Sequence, residues 1–405
     1  MVIQNRKNIP KGWKKRALQQ CVDIDLHSLS EKTADNKNFF YIDLSAVSNG
    51  HIMFPKAKVC FKDAPSRARR IIHKGDIIFS TVRPYLKGFA LVGFDSNDYI
   101  VSTGFSVLTA KNNFSSKYIY HYLFSENFQK QIFISLSGSS FPALNSKEVK
   151  GLSILIPISI AEQQKIVEVL ETWDQAIQLT RKLIEQKELQ KKYLMQRLLT
   201  GRTRLKGFTE KWLKLSLSDI LKERNTYQTK GAEFPHLSLT KEGVAPKTAR
   251  YNRDFLVKDE NKSYKITLLD DICYNPANLK FGVICRNKYG AGIFSPIYVT
   301  YEIKKYDKSF VEKLLLLPTT IALARRYEEG TVYERMAVSS EDFLKLKLDF
   351  PPTEEESIEV GKVLMNSDKE TDLLRQKLAK LEEQKKGLMQ VLLTGKVRLA
   401  VKETK

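Results

Sequence analysis

Apolar residues recur at steps of three and four along two separate stretches of the chain. The first stretch presents Ile166, Leu170, Trp173, Ile177, Thr180, Ile184, Lys187, Lys191, Leu194 and Leu198. The second presents Val360, Leu364, Ser367, Thr371, Leu374, Leu378, Leu381, Lys385, Leu388 and Leu392. Both are heptad seams in one register, the pattern of a helix that lays one face on another helix. Residues 157–205 align without a gap on 351–399, and about twenty of some fifty positions are identical, so the stretches are copies of one element.

Each copy opens with Pro and a capping-box pattern, Ser159 with Glu162 and Thr353 with Glu356. Each ends at Thr-Gly, where Gly201 and Gly395 suit the left-handed position that closes a helix. No Pro intervenes, and the only internal glycines are Gly361 and Gly387. About forty helical residues at about 1.5 Å each predict a rod of about 60 Å. The polar interruptions fall at different places in the two seams, so each complements the other, and an intramolecular antiparallel pair is expected. Homodimerisation through either helix stays open, because a seam does not name its partner. Outward charges such as Glu162, Lys165, Glu185 and Glu382 read as a solvated face.

Before and between the copies lie two heads that scarcely resemble each other. They enter alike, through Gly12-Trp13-Lys14-Lys15 and Lys211-Trp212-Leu213-Lys214. In each, an apolar strand follows about sixty residues later, at 74–79 and 268–273. Further apolar runs, from Phe89 to Phe94 and from Gly282 to Cys285, suggest a curved sheet, and helices are expected near Tyr118 to Ser135 and Phe310 to Tyr327. The expected fold is of α+β class: two globular heads of mixed α/β structure, separated by two long antiparallel helices and related by a pseudo-twofold. The boundaries are 1–156 for the first head, 157–205 for the central helix, 206–350 for the second head, and 351–405 for the distal helix and a basic tail. Because residue 205 leads into the second head as the amino terminus leads into the first, the second helix should end near the amino terminus.

Charge adds a partner. With 67 Lys and Arg against 46 Asp and Glu, the formal charge is +21, a balance that suits a polyanion such as nucleic acid. In the first head Arg67, Arg69, Arg70, Lys74, Arg83 and Lys87 gather around the strand, with Ser139 and Ser140 in a Gly-Ser loop. In the second, Lys241, Lys247, Arg250, Arg253, Asn275, Asn278 and Lys280 occupy the corresponding zone. Arg and Lys can fork onto guanine and Asn onto adenine, and the cations also hold phosphates. Sequence does not sort base readers from phosphate clamps or from plain surface.

No catalytic constellation emerges. A Gly-x4-Gly-Lys-Ser/Thr phosphate loop is missing, and His27, His51, His73, His121 and His236 show no metal spacing. Cys21, Cys60, Cys273 and Cys285 stand far apart, as reduced core thiols would. The string Asn275-Pro276-Ala277-Asn278 is similar to the Asn-Pro-Pro-aromatic loop of amino-methyltransferases, but it lacks the second Pro and the aromatic, and a turn is the preferred reading. No run of about eighteen apolar residues and no apolar signal core are found, so no membrane partner is expected and a cytoplasmic location is.

The pattern Pro…Glu-Gln…Leu…Leu-Met-Gln-x-Leu-Leu-Thr-Gly, present twice, resembles the conserved regions of specificity (S) subunits of type I restriction-modification systems. That resemblance covers the whole architecture. It implies two target-recognition domains, each reading one half of an asymmetric bipartite site in double-stranded DNA, with the helices setting the spacing between the halves. It also implies two modification (methyltransferase) subunits and restriction (translocase/nuclease) subunits as partners, which would hold S-adenosylmethionine, ATP and Mg, while the chain itself binds no cofactor and is not an enzyme. The second copy departs from the pattern, with Glu356-Ser357-Ile358 in place of Glu162-Gln163-Gln164. That departure puts equal docking of partners by the two halves in question. Two other classes stay in view, a self-contained methyltransferase or nuclease using the Asn275 loop, and a coiled-coil scaffold unconcerned with DNA.

Overall fold

Two helices of equal length carry the repeat, Ile160–Leu198 and Glu354–Leu392, 39 residues each. The computed structural model describes residues 9–136, 142–229, 234–240, 243–247, 263–328 and 337–400. The chain divides into two compact units, Met1–Thr180 with Lys377–Lys405, and Arg181–Gln376. Each unit therefore takes one head and a part of both helices.

Within each unit the helices run antiparallel and the seam residues meet. Ile166, Leu170, Ile177, Ile184, Leu198, Val360, Leu364 and Leu392 are buried, and Trp173, Leu194, Leu374, Leu378, Leu381 and Leu388 are half-buried. The lysines that interrupt the seams are answered by carboxylates. Lys385 pairs with Asp174 in the first unit, and Lys191 pairs with Asp368 in the second. These are the same two positions of the repeat, so one ion pair is built twice. Lys187 adds a further pair to Glu370 at 2.8 Å. A lysine on a seam is tolerable when its charge is met, and the pairing favours this antiparallel register over slipped ones.

In the first unit, Trp13–Ala17 pairs antiparallel with Ser153–Pro157. A four-stranded sheet runs in the order Val22–Ile24, Phe105–Ala110, Ile77–Ser80, Phe89–Leu91. Its apolar face packs on Tyr118, Phe128, Ile166, Leu170 and Leu392. A second sheet, Val59–Cys60, Asn38–Ile42, Tyr99–Ser102, Ala68–Ile71, contains one parallel pair.

The second unit repeats the first layer and changes the second. Leu213–Ser216 pairs with Lys347–Phe350, and the four-stranded sheet again follows one order, Leu221–Glu223, Val299–Ile303, Ile272–Tyr274, Ile284–Arg286. In place of the other sheet stand three strands, Tyr227–Thr229, Ser263–Thr267 and Gly292–Phe294, and a hairpin of Leu237–Thr240 with Gly243–Pro246. The heads are one fold in the layer that meets the helices and differ beyond it.

Several expected elements are shorter than the apolar runs suggest. The helix expected from Tyr118 to Ser135 is two, Ser116–Leu123 and Glu126–Leu136, with the Ser125 hydroxyl accepting the Phe128 N–H at the break. The helix expected from Phe310 to Tyr327 is likewise Lys308–Leu315 and Pro318–Ala324, because Pro318 cannot continue a helix but can start one. The strands expected at 74–79 and 268–273 begin only at Ile77 and Ile272. In both heads a buried aspartate closes a turn first: the Asp76 carboxylate accepts the His73 N–H at 2.7 Å, and that of Asp271 accepts the Leu268 N–H at 2.8 Å.

The first capping box is half right, and among the described residues no cap bond joins Thr353 to Glu356. The Glu162 N–H does reach the Ser159 hydroxyl, at 3.4 Å, but the carboxylate does not turn back to the cap. Glu162 is 3% exposed rather than part of a solvated face. Its carboxylate accepts the Trp13 indole N–H at 3.2 Å and takes the Arg398 guanidinium on both oxygens. In the second unit Glu356 is fully buried and accepts the Trp212 indole at 3.2 Å and Arg204 at 2.6 Å on each oxygen. Each arginine also lies over the indole it shares the carboxylate with, at 5.9 Å for Arg398 and 5.7 Å for Arg204. The clamp ties the entry of a head to the start of one helix and to the chain leaving the other.

The closing glycines serve the same junction. Gly201 and Gly395 have φ of +66° and +67°, and a Cβ would stand 2.9 Å from the Trp212 ring at the first and 2.7 Å from Pro10 at the second. Arg398 also donates to the Lys11 carbonyl at 2.6 Å, so the chain leaving the second helix lies beside the entry to the first head.

The Gln163 to Ser357 difference is internal and balanced. Both side chains are fully buried. Gln163 accepts the Ser115 N–H at 2.8 Å, and Ser357 accepts the Asp307 N–H at 3.0 Å. Ser115 and Asp307 are the N-caps of the equivalent helices. The larger cap in the second unit also explains Gly361, whose added Cβ would overlap the Asp307 Oδ1. Gly361→Ala should thus destabilise the second unit by about 1–3 kcal/mol despite the better helix propensity of Ala. With Asp307→Ser in the same chain it should be neutral or stabilising by up to about 1 kcal/mol, as a urea-unfolding cycle would show.

His121 gives the first unit a pH dependence. It is 3% exposed, and burial, followed by the Lys385 charge, holds its pKa down to about 3 although Asp174 stands 4.0 Å away. An unfolded histidine takes its proton near pH 6.5, so between that value and about 3 the unfolded chain binds the extra proton. Stability should therefore fall as pH drops through this window, by up to about 1.4 kcal/mol per pH unit from this group, and His121→Gln should flatten the slope in urea titrations at about pH 7.5 and 5.

Candidate nucleic-acid interface

The four-stranded sheet common to both heads carries one hairpin loop in each that the fold makes equivalent. In the first head Phe79 pairs with Phe89, leaving residues 80–88 as the connection; in the second Tyr274 pairs with Ile284, leaving 275–283. The loops have one length and one plan. A short 3-10 turn, Pro84–Leu86 or Pro276–Phe281, ends in a left-handed residue, Lys87 at φ +56° or Gly282 at φ +73°. Pro84 and Leu279 point inward and are buried, while Leu86 and Phe281 point outward at 58% and 56% exposed.

Both loops are held from beneath. Asn49 donates its N–H to the Lys87 carbonyl at 2.9 Å, and Arg83, itself at φ +47°, donates its N–H to Pro142 at 2.7 Å. In the second head Val338 donates to the Pro276 carbonyl at 3.3 Å, and the Asn275 Oδ1 accepts the Ala277 N–H at 3.1 Å. Two non-glycine residues in the left-handed region of one loop are strained backbone that the surroundings must enforce.

Of the residues selected from sequence, Arg83, Lys87, Asn275, Asn278 and Lys280 fall on these two loops. Arg83 is exposed, and neither it nor Lys87 has a side-chain ion pair or hydrogen bond among the described residues. Lys280 lies over the Phe281 ring at 5.2 Å. Asn275, 8% exposed, caps its turn, which is the turn role expected for Asn-Pro. The others are elsewhere. Arg67 and Lys74 are exposed, Arg69 covers the Phe61 ring at 4.7 Å, and Arg70 is half-buried in an ion pair with Asp25 at 3.0 Å. Lys247 is exposed after the Gly243–Pro246 strand. Ser139, Ser140, Lys241, Arg250 and Arg253 lie outside the described residues.

Sequence reasoning missed Tyr85, Leu86 and Phe281, because an apolar residue beside a strand reads as core. The signal was an apolar residue just ahead of the position that turns left-handed, in two loops of one length.

The remaining chemistry is muted. Burial pushes the Cys21 thiol up to about 11 and the Cys285 thiol up to about 12, so both stay protonated at neutral pH. Among the described residues no group of three or more His, Cys, Asp and Glu is placed to hold a metal ion, and no helix is long and apolar enough to cross a membrane.

Two heads on one sheet plan, a duplicated helix and a cation-bearing loop in each head can be set beside known proteins. Residues 10–189 match the family described as type I restriction modification DNA specificity domain. A putative specificity subunit of the type I restriction enzyme MjaX from Methanocaldococcus jannaschii is 24% identical over 427 residues, covering 96% of this chain and 95% of that protein. Among solved structures, a chain from work on complex assembly and conformational transition of the type I R-M system superposes with a TM-score of 0.65 at 19% identity, covering 96% of this chain and all of that one. The HsdS subunit from Thermoanaerobacter tengcongensis gives 0.55 at 21% identity, covering 98% of this chain and all of its own. Residues 10–189 thus carry the similarity to a type I DNA specificity domain, and the solved chains share the fold along nearly the whole length.

Proposed function

We propose that the chain is the non-catalytic reader of a modification and restriction complex, with heads at 1–156 and 206–350 that bind the two unlike halves of a bipartite site in double-stranded DNA. The observation that carries this is a frame built twice, clamp, sheet and loop, beneath second layers that differ. Constant frames with divergent outer layers suit two readers of different sequences, and the +21 charge supplies attraction that is independent of sequence. The helices at 157–205 and 351–405 set the spacing between half-sites.

The chain recruits two modification subunits, joined by restriction subunits, and these hold S-adenosylmethionine, ATP and Mg. Exposed leucines at one repeat position on both helices, Leu179 at 66% and Leu373 at 55%, favour docking of two like partners. The setting is cytoplasmic. In cells with and without the chain, methylation mapping should show one bipartite motif that vanishes with it. An unchanged methylation pattern would refute the reading. Methyl transfer by the isolated chain, lost on Asn275→Ala, would favour a self-contained enzyme instead.

A further inference from the structure

The exposed apolar side chains at the two equivalent loop tips are unexplained by the frame. Leu86 and Phe281 are each more than half exposed, next to the left-handed residue that aims the loop, and Tyr85 beside Leu86 is 46% exposed. A single exposed apolar residue would need no explanation, but here two braced loops of one length, one of them strained, put a large apolar side chain in water at the same place. Their surroundings indicate what covers them. Residues 80–88 and 275–283 contain no Asp or Glu, and they carry Arg83 and Lys87 in one loop and Lys280 in the other. An apolar tip with cations beside it in the same loop, Lys280 lying over the Phe281 ring itself, is the make-up of side chains that enter between DNA base pairs while neighbouring cations hold the phosphates. Loops that carry cations and no acid are charge-complementary to the DNA backbone.

Resting on the DNA-reading function above, we infer that Leu86 and Phe281 are wedges: each enters a base step in the half-site bound by its own head and unstacks it. Partial unstacking would make the deformability of that step part of the recognised sequence, at a position with no hydrogen bond to a base.

The test uses the chain purified with its modification subunits and duplexes of the site found by methylation mapping, each with one 2-aminopurine placed along the two half-sites. Wild type should brighten 2-aminopurine at one step in each half-site. Leu86→Ala should abolish the signal in one half-site only and Phe281→Ala in the other only, with affinity lowered about tenfold and the salt slope unchanged, since no phosphate contact is removed. Leu86→Phe and Phe281→Leu should restore the signal. Thermal unfolding of the variants should match wild type, because both side chains lie on the surface.

A wild-type complex that selects its site while both alanine variants keep full affinity and the same fluorescence overturns the wedge and leaves the function intact. Loss of the modification subunits from either variant also overturns it, since the tips would then be protein contacts. A wild-type complex with no sequence preference sinks the function and the wedge together.

Discussion

Glu356→Ala is expected to cost the second unit about 3–5 kcal/mol, the range for removing one partner of a buried ion pair. The carboxylate is fully buried and meets three donors, two from Arg204 and one from the Trp212 indole. Its removal strands a guanidinium whose side chain is only 21% exposed, together with the N–H of the half-buried Trp212 indole. Arg204→Ala should cost a comparable amount, because it leaves the fully buried Glu356 carboxylate with the Trp212 indole as its one donor, and the double variant should recover part of the loss. The effect should be local: hydrogen exchange should speed up in Leu213–Ser216 and Lys347–Phe350, and not in Trp13–Ala17. Glu162→Ala should reproduce the pattern in the first unit at a smaller cost, since Arg398 is 44% exposed and can turn to water. A loss below about 1 kcal/mol for Glu356→Ala would show the clamp to be incidental.

The clamp also marks where sequence stops being readable. The Glu of each Ser/Thr-x-x-Glu reads as a capping partner because that spacing is local, whereas its real partners come from a remote part of the chain, 236 residues away for Arg398. The helices themselves were legible because period, caps and glycine endings all agree, and seam residues such as Leu170 and Val360 are buried as the pattern requires. Asp174 and Asp368 were visible as a repeated position but not as partners of Lys385 and Lys191, since they lie off the apolar seam. Helix and strand lengths in the heads were overestimated where a side chain intervenes: Ser125, Pro318, Asp76 and Asp271 each end or delay an element inside an apolar run. The loop tips went unnoticed for a related reason. Hydrophobicity says that Leu86 and Phe281 should be inside, and only the left-handed turns at Lys87 and Gly282 put them outside.

The division of labour between a constant frame and two divergent heads makes the largest prediction of all. Residues 208–350 begin after the Arg204 clamp residue and end at Phe350, which is buried beside the start of the second helix. Exchanging this segment for that of a relative keeps both helices, Glu162, Glu356 and the entry tryptophan of the first head. One half of the recognised sequence should then change completely, with discrimination shifting by the several kcal/mol that separate specific from non-specific sites, and the other half should stay as it is. Methylation mapping of cells carrying the exchanged chain reads both halves at once. The expected result is a hybrid motif with one old and one new half-site; an unaltered motif, or one new in both halves, would contradict the assignment of one half-site to each head.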